Sequence, residues 1–270
     1  MKISELPVVT NLGRSDRFIV DGDTATRTIA TEELVYALFN PLPEAHNMVF
    51  RGKALGSSIS SLHRQGLSSG SFNDLWLGDY WTRNGVDYVV VGFNYWKNVT
   101  GVTAPHAVVA TRTNITNAAF GSGMSSMASA PIYSSTVPNL ENTVKLVFGS
   151  NGLLTRPMKF VSGFDGQGYP SATVTRQVTL SLLTPNHIMG TRGPVTVLNG
   201  ITENGMYGDN QAIMPGFAMD PGLRHAPGST WLHSVTGPNS AVCLGDDGVL
   251  TASASAGARG VRIIFGIVGP

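Results

Sequence analysis

From Trp231 to Val268 the chain runs in short apolar segments rich in Val, Ile and Leu, closed at each end by Gly, Pro, Asn or Asp. This is strand-turn-strand chemistry, and Asp247-Gly248 is a favoured tight-hairpin dipeptide. The pattern predicts a small sheet that closes the domain. Its last run, Arg259 to Val268, is almost continuously apolar, as expected of a central strand buried on both faces. The small-residue stretch Ala252 to Ala258 has no large side chain to pack and is expected as a surface loop beside the hairpin.

Earlier in the chain the same signals place further elements. Phe18 to Asp23 followed by Thr24 to Ile29 predicts a hairpin turning at Asp21-Gly22. Thr31 then caps a short helix with Glu32 and Glu33 in its first turn, and Leu34, Val35, Leu38 and Phe39 form its apolar face. Pro41 and Pro43 end it. Ser58 to Leu67 reads as a helical patch with Ile59 and Leu62 on one side. A second hairpin joins Leu75–Tyr80 to Tyr88–Phe93 through Asn84-Gly85, with Trp76, Trp81 and Trp96 on or beside it. Such an aromatic cluster is expected as core, the alternative being a stacking platform for sugar rings. His106 to Ala110 adds a short strand. Residues 113–136 are expected as loop with short helix. Leu140, Val144, Val147 and Phe148 have helical spacing, with Gly149 at the stop. Thr173 to Leu183 is β-branched and favours strand.

These elements predict an α+β, β-rich fold: a hairpin-helix module over residues 1–40, a connector over 41–71, and a mixed-sheet domain with a few helices over 72–270. A hairpin and a helix of this size bury too little surface to stand alone, so the module is expected to pack on copies of itself or on a larger body.

Composition narrows the function. Apolar residues at 42% make the chain globular, whereas charged residues at 13% lie well below the roughly 25% of ordinary domains. The polar surface is therefore largely uncharged, as suits assembly or a neutral ligand. A net charge of +1 with no basic block argues against nucleic-acid binding. No run is long enough for a membrane span, and Met1 to Pro7 lacks the apolar core of a signal peptide, so synthesis in a cytoplasm without Sec-type export is expected. Asn98-Val-Thr and Asn114-Ile-Thr match the glycosylation pattern by chance on this reading. Cys243 stands alone between Val242 and Leu244 and reads as a buried thiol.

Candidate chemistry is sparse. His46, His63, His106, His187, His225 and His233 show no zinc spacing, and no nucleophile elbow or phosphate loop occurs. No cofactor is expected. Asp79 with Asp87, or Asp246 with Asp247, would be the carboxylate pair of a glycan-cleaving enzyme, but aspartates in hairpin turns commonly serve the backbone. Asp21-Gly22-Asp23 and Gly245-Asp246-Asp247-Gly248 lack an extended calcium loop and read as turns.

The opening Ile3-Ser-Glu-Leu6-Pro, the Asp-Gly hairpin and the Thr-initiated helix resemble the N-terminal segment of bacteriophage fibre and appendage proteins. Phe50 to Gly56, Gly70 to Trp81, Phe148-Gly149, Trp231-Leu232 and Gly260-Val-Arg262 resemble, in order, stretches of a tailed-phage structural protein family from gut communities. His233 and Ile263 depart from that pattern, which usually has Arg and Pro there. The close of the chain is also similar to C-type lectin-like domains of phage receptor-binding proteins.

The resemblance implies a non-enzymatic virion protein, a head or tail fibre or decoration. It implies attachment and trimerisation through Ile3, Leu6, Phe18, Leu34, Val35, Leu38 and Phe39, with other virion proteins as partners. It further implies host-surface carbohydrate as a ligand of the closing loops, at His233, Asn239, Ser240, Ser253 and Ser255. A receptor-binding adhesin without a structural role and a glycan depolymerase are the alternatives.

Overall fold

The computed structural model describes residues 17–21, 26–30, 34, 42–98, 101–190, 196–197, 201–202 and 212–270. The fold is α+β and strand-rich. At the N-terminus β1 (Arg17–Asp21) pairs antiparallel with β2 (Thr26–Ala30). The expected hairpin is present, with Asp21 opposite Thr26; the turn expected at Asp21-Gly22 involves residues 22–25, which lie outside the described residues. Phe18 lies in β1, and Leu34 is helical and half-buried. Ile3, Leu6, Val35, Leu38 and Phe39 lie outside the described residues.

Residues 42–71, expected to connect, are built into the body. Phe50 bridges to Leu77 and Ala54 to Tyr80, and Ile59 N–H donates to Val147 O. Helix α1 (Ser61–Ser69) begins where the Ser60 hydroxyl accepts from His63 N–H and stops at Gly70, whose φ of 75° is left-handed. Starting at Ser61 leaves Ile59 outside the helix and turns His63, Gly66 and Leu67 inward, so Leu62 is 49% exposed and does not share a buried face with Ile59. At Gly66 a Cβ would lie 2.5 Å from Asn73 N, so only glycine allows this approach of helix to chain.

Strands β3 (Tyr80–Arg83) and β4 (Val86–Phe93) join through Asn84-Gly85, both with positive φ, as a primed hairpin turn requires. Next come β5 (Ala107–Thr111) and β6 (Thr116–Ala119), the latter within the stretch expected as loop and short helix. Helix α2 (Val137–Phe148) ends at Gly149 as its spacing predicts, with Val144, Val147 and Phe148 buried. Strands β7 (Leu153–Leu154), β8 (Arg156–Phe164), β9 (Pro170–Val178) and β10 (Leu180–Leu182) follow, then α3 (Pro185–Met189). Beyond a small pair, β11 (Thr196–Val197) and β12 (Ile201–Thr202), lies α4 (Pro215–Met219). The chain closes with β13 (Thr230–Gly237), β14 (Ser240–Leu244), β15 (Leu250–Ala254), β16 (Ala258–Val261) and β17 (Ile263–Ile267).

A six-stranded sheet runs β10-β17-β5-β4-β3, with β7 also on β17, and a five-stranded sheet runs β15-β14-β13-β16-β6. Strand β17 is central and wholly buried, as its apolar run predicts. It does not belong with the closing hairpins, however. The run divides at Arg262: β16 pairs with β6 and β13 in one sheet, β17 with β5, β7 and β10 in the other. At this corner the buried Arg262 guanidinium donates to Thr111 O (2.9 Å), Arg224 O (3.1 Å) and Leu223 O (2.9 Å).

The core lies on both faces of the six-stranded sheet. Trp81, Tyr88, Val90, Phe148 and Phe265 pack on one side, and Val89, Val91, Trp96, Val108 and Ile264 on the other. Alternation of side chains along β4 and β17 produces this split. All four tryptophans are interior. Trp76 stacks on His46, and Trp96 lies between His106 and the Arg156 guanidinium, so none forms an exposed platform for sugar.

Candidate functional site

Ahead of α2 the chain is already helical from Pro131, but Ile132–Thr136 form a π-turn that ends on Val137 N–H donating to Ile132 O. Pro138 supplies the cause: it has no N–H for an α-type bond and its ring crowds the preceding turn, so the ladder widens there. The widened turn and α2 face the β8–β9 ribbon across a cleft of about 200 Å³, lined by Tyr133, Val137, Pro138, Glu141, Phe160 and Arg176, with Ala128 and the stretch from Gln177 to Leu180. The ribbon register places Arg176 opposite the buried Met158, so its side chain leaves the strand on the body-facing side.

The cleft is half polar. Glu141 accepts from Thr179 Oγ1 at 2.8 Å and pairs with Lys145 Nζ at 2.7 Å, one helical turn on. Partial burial pushes its carboxyl up, but the hydrogen bonds from Lys145 and Thr179 and the charge of Lys145 outweigh this and hold it below its ordinary value. Among the described residues Arg176 makes one long bond, Nη1 to Ala128 O at 3.4 Å.

At the floor, Tyr133 hydroxyl meets His233 Nδ1, and His233 Nε2 lies 2.8 Å from Lys159 O. A carbonyl only accepts, so Nε2 carries the hydrogen and Nδ1 takes the one donated by Tyr133. Burial raises the Tyr133 hydroxyl well above its ordinary range and keeps it protonated as that donor. The rings of Tyr133, Phe160 and His233 meet edge to face with centroids 4.8–5.3 Å apart.

No family model, curated protein or solved structure matches the chain.

The residues singled out from sequence are not gathered into one site. His233, expected in an exposed loop, is buried in β13 beneath the cleft. Ser255, also expected on the surface, is fully buried, and the expected loop from Ala252 begins as strand β15, leaving residues 255–257 as the connection. Asn239 is exposed, but its Oδ1 accepts from Gly123 N–H at 2.6 Å. Ser240 accepts from Thr236 Oγ1 at 2.8 Å, and Ser253 from Arg259 Nη2 at 3.0 Å. These contacts fix turns and strands.

The carboxylate pairs fare likewise. Asp79 is buried under Arg51, which donates Nε to Oδ1 (3.0 Å) and Nη2 to Oδ2 (2.6 Å), while Lys53 and Trp76 N–H groups complete its shell at 2.9 Å each. Burial raises its carboxyl even against these partners. Asp87 is held separately by Thr82 and Arg112. Asp247 Oδ1 accepts from Val249 N–H in the turn after β14, as a turn aspartate does. Cys243 is buried between Thr251 and Ser253 hydroxyls. Among the described residues no three His, Cys, Asp or Glu side chains are grouped to hold a metal. No described helix is long and apolar enough to cross a membrane.

Sequence reasoning missed Tyr133, Glu141 and Arg176. The helical spacing of Leu140, Val144, Val147 and Phe148 marks the helix that carries Glu141 but gives no sign of the widened turn ahead of it. Nothing in the sequence places that turn against a strand some forty residues later.

Proposed function

We propose that this chain is a structural protein displayed on a tailed bacteriophage virion. It attaches through residues 1–40 and presents outward a β-rich body that holds host-surface carbohydrate without cleaving it. The observation that carries the binding half is the cleft over α2 and the β8–β9 ribbon. Apolar walls at Val137, Pro138 and Phe160 stand beside hydrogen-bonding groups at Glu141 and Arg176, the composition of a ligand recess. Glycoside hydrolysis uses two carboxyl groups about the bond to be broken. Among the described residues Glu141 is the one carboxylate lining this cleft, and it is engaged by Lys145 and Thr179, which favours retention over hydrolysis.

The attachment half rests on the resemblance of residues 1–40 and of the ordered stretches from Phe50 to Arg262 to phage appendage and structural proteins. A trimer with other virion proteins as partners belongs to the same proposal, because a hairpin and a short helix need partner surface. So does the C-type lectin-like reading of the closing unit. Its support is the meander β13–β14–β15 followed by β16 parallel to β13 and a buried terminal strand.

The test uses two preparations. Phage carrying a deletion of residues 1–40 should lose the protein from purified particles, while labelled full-length protein should adsorb to host cells and be displaced by soluble host polysaccharide. Retention of the truncated protein on particles removes the attachment half, and adsorption unaffected by polysaccharide removes the carbohydrate half.

A further inference from the structure

The cleft has features that narrow its ligand beyond carbohydrate in general. Its volume of about 200 Å³ falls below the roughly 300 Å³ at which pockets for drug-sized molecules begin, so it suits one ring and not a chain of them. Its walls are apolar at Val137, Pro138, Phe160 and Val178, a surface for the C–H face of such a ring.

Its charges are unequal. Glu141 is matched by Lys145 at 2.7 Å, so it neither repels an anion strongly nor offers a free negative site. Arg176 lies on the same lining, and its one hydrogen bond among the described residues is through Nη1 to Ala128 O. That bond steadies the guanidinium and leaves Nε and Nη2, the edge that takes a carboxylate through two parallel hydrogen bonds.

We propose that this cleft is a subsite for a single acidic sugar unit, a pyranose ring bearing a carboxylate, with Arg176 binding the carboxylate and Glu141 and Thr179 accepting from ring hydroxyls. The proposal rests on the carbohydrate half of the reading above and names the chemical class at that site. Glu141 Oε2 is held toward Thr179, whose own hydroxyl donates to it, so the pair offers a fixed acceptor edge along one wall. The widened helical turn at Ile132–Thr136 sets Tyr133 into the cleft, and the bond from Tyr133 to His233 fixes that ring from below.

The test is a titration of isotope-labelled full-length protein followed by NMR, with glucuronate, glucose and acetate as separate probes. Glucuronate is expected to bind in the millimolar range, at least tenfold tighter than either glucose or acetate, and to shift Tyr133, Phe160 and Thr179 resonances. Arg176→Gln, an exposed substitution that leaves the core untouched, should bring glucuronate down to the level of glucose. Arg176→Lys should fall between them, because a point charge replaces the paired donors. Equal binding of glucuronate and glucose, a glucuronate affinity unchanged in Arg176→Gln, or shifts confined to residues away from the cleft would each overturn the assignment. Failure here together with polysaccharide-sensitive adsorption to cells rejects the acidic-sugar site alone. Failure of both rejects carbohydrate binding altogether.

Discussion

At the scale of single residues, one buried polar group has both of its ring nitrogens partnered, and those partners set its response to acid. His106 is fully buried: Nδ1 lies 2.9 Å from Ala104 O, so it donates, and Nε2 accepts from Trp96 N–H at 3.1 Å. Protonating Nε2 would set two N–H groups against each other. Burial lowers the imidazole from 6.5 to about 4, with the charges of Arg156 and Lys97 adding to the effect. A base whose folded value is depressed binds fewer protons when folded. Its contribution is therefore complete above about pH 6.5 and is lost as pH falls toward 4. The shift corresponds to on the order of 3 kcal/mol. His63 is lowered by burial and acts in the same direction. Denaturant unfolding between pH 7 and pH 4 should show a steep loss of stability, and His106→Gln, which cannot titrate, should flatten it by about that amount. An equal slope in both proteins would show that other groups govern the acid limb.

At the scale of elements, the break of the last apolar run into β16 and β17 is the decisive local event. Arg262 is held by three backbone carbonyls from two separate segments, Thr111 and Leu223-Arg224, and beside it Gly260 pairs with Asn117 while its Cα faces the Asn114 side chain. A Cβ at Gly260 would come within 2.1 Å of the Asn114 amide group, which itself bridges Pro227 O and Thr230 Oγ1. Gly260→Ala should therefore cost about 1–3 kcal/mol through overpacking. Asn114→Ala should be destabilising alone through loss of its two bonds, yet combining the two changes should cost less than their sum, since the second removes the atoms that the first strikes. Chemical denaturation of the four proteins checks this; simple additivity would mean that the strand shifts to make room. The sequence read the same stretch as a single strand because its apolar pattern is unbroken apart from Arg262. Periodicity reports burial and has no term for which sheet does the burying.

The hairpin at Asn84-Gly85 shows the opposite case. Its turn residues need positive φ, that need is local, and the sequence declared it correctly. Helix α2 was equally legible from Leu140, Val144, Val147 and Phe148 to the Gly149 stop. The π-turn ahead of it was not, because residues 113–136 read as loop with short helix and the helical spacing begins only at Leu140.

At the scale of the whole molecule, the core formed by the described residues is built from residue 42 onward. Both core clusters, the Arg51–Asp79 pair and the packing of α1 fall within that range. A protein lacking residues 1–40 should then unfold with the same cooperativity and within about 3 °C of the full chain, a change smaller than about 1 kcal/mol for a domain of this size. Calorimetry of the two proteins decides it, and a drop of ten degrees or more would make the front segment part of the core. The connector expected over residues 41–71 is where sequence and structure part most clearly. Its Gly, Ser and Pro content reads as a linker, whereas Gly66 and the Ser60 cap serve close packing of α1.

The candidate site was almost illegible. His233 and the serines were implied by the resemblance to lectin-like closing loops, but β13 carries His233 inward, Ser253 is half-buried on β15, and Ser255 is buried within the connection that follows that strand. Tyr133, Glu141 and Arg176 come from a helical run and a distant strand, and they share a cleft only because the β8–β9 ribbon folds over α2. What the sequence alone determined was local: turn residues with positive φ, helix spacing and stops, and which runs must be buried. Those follow from sterics and solvation acting within a few residues. The division of the last run between two sheets, the absorption of residues 42–71 into the body and the composition of the cleft were decided by tertiary structure, because each depends on contacts between segments far apart in the chain, where no local preference reaches.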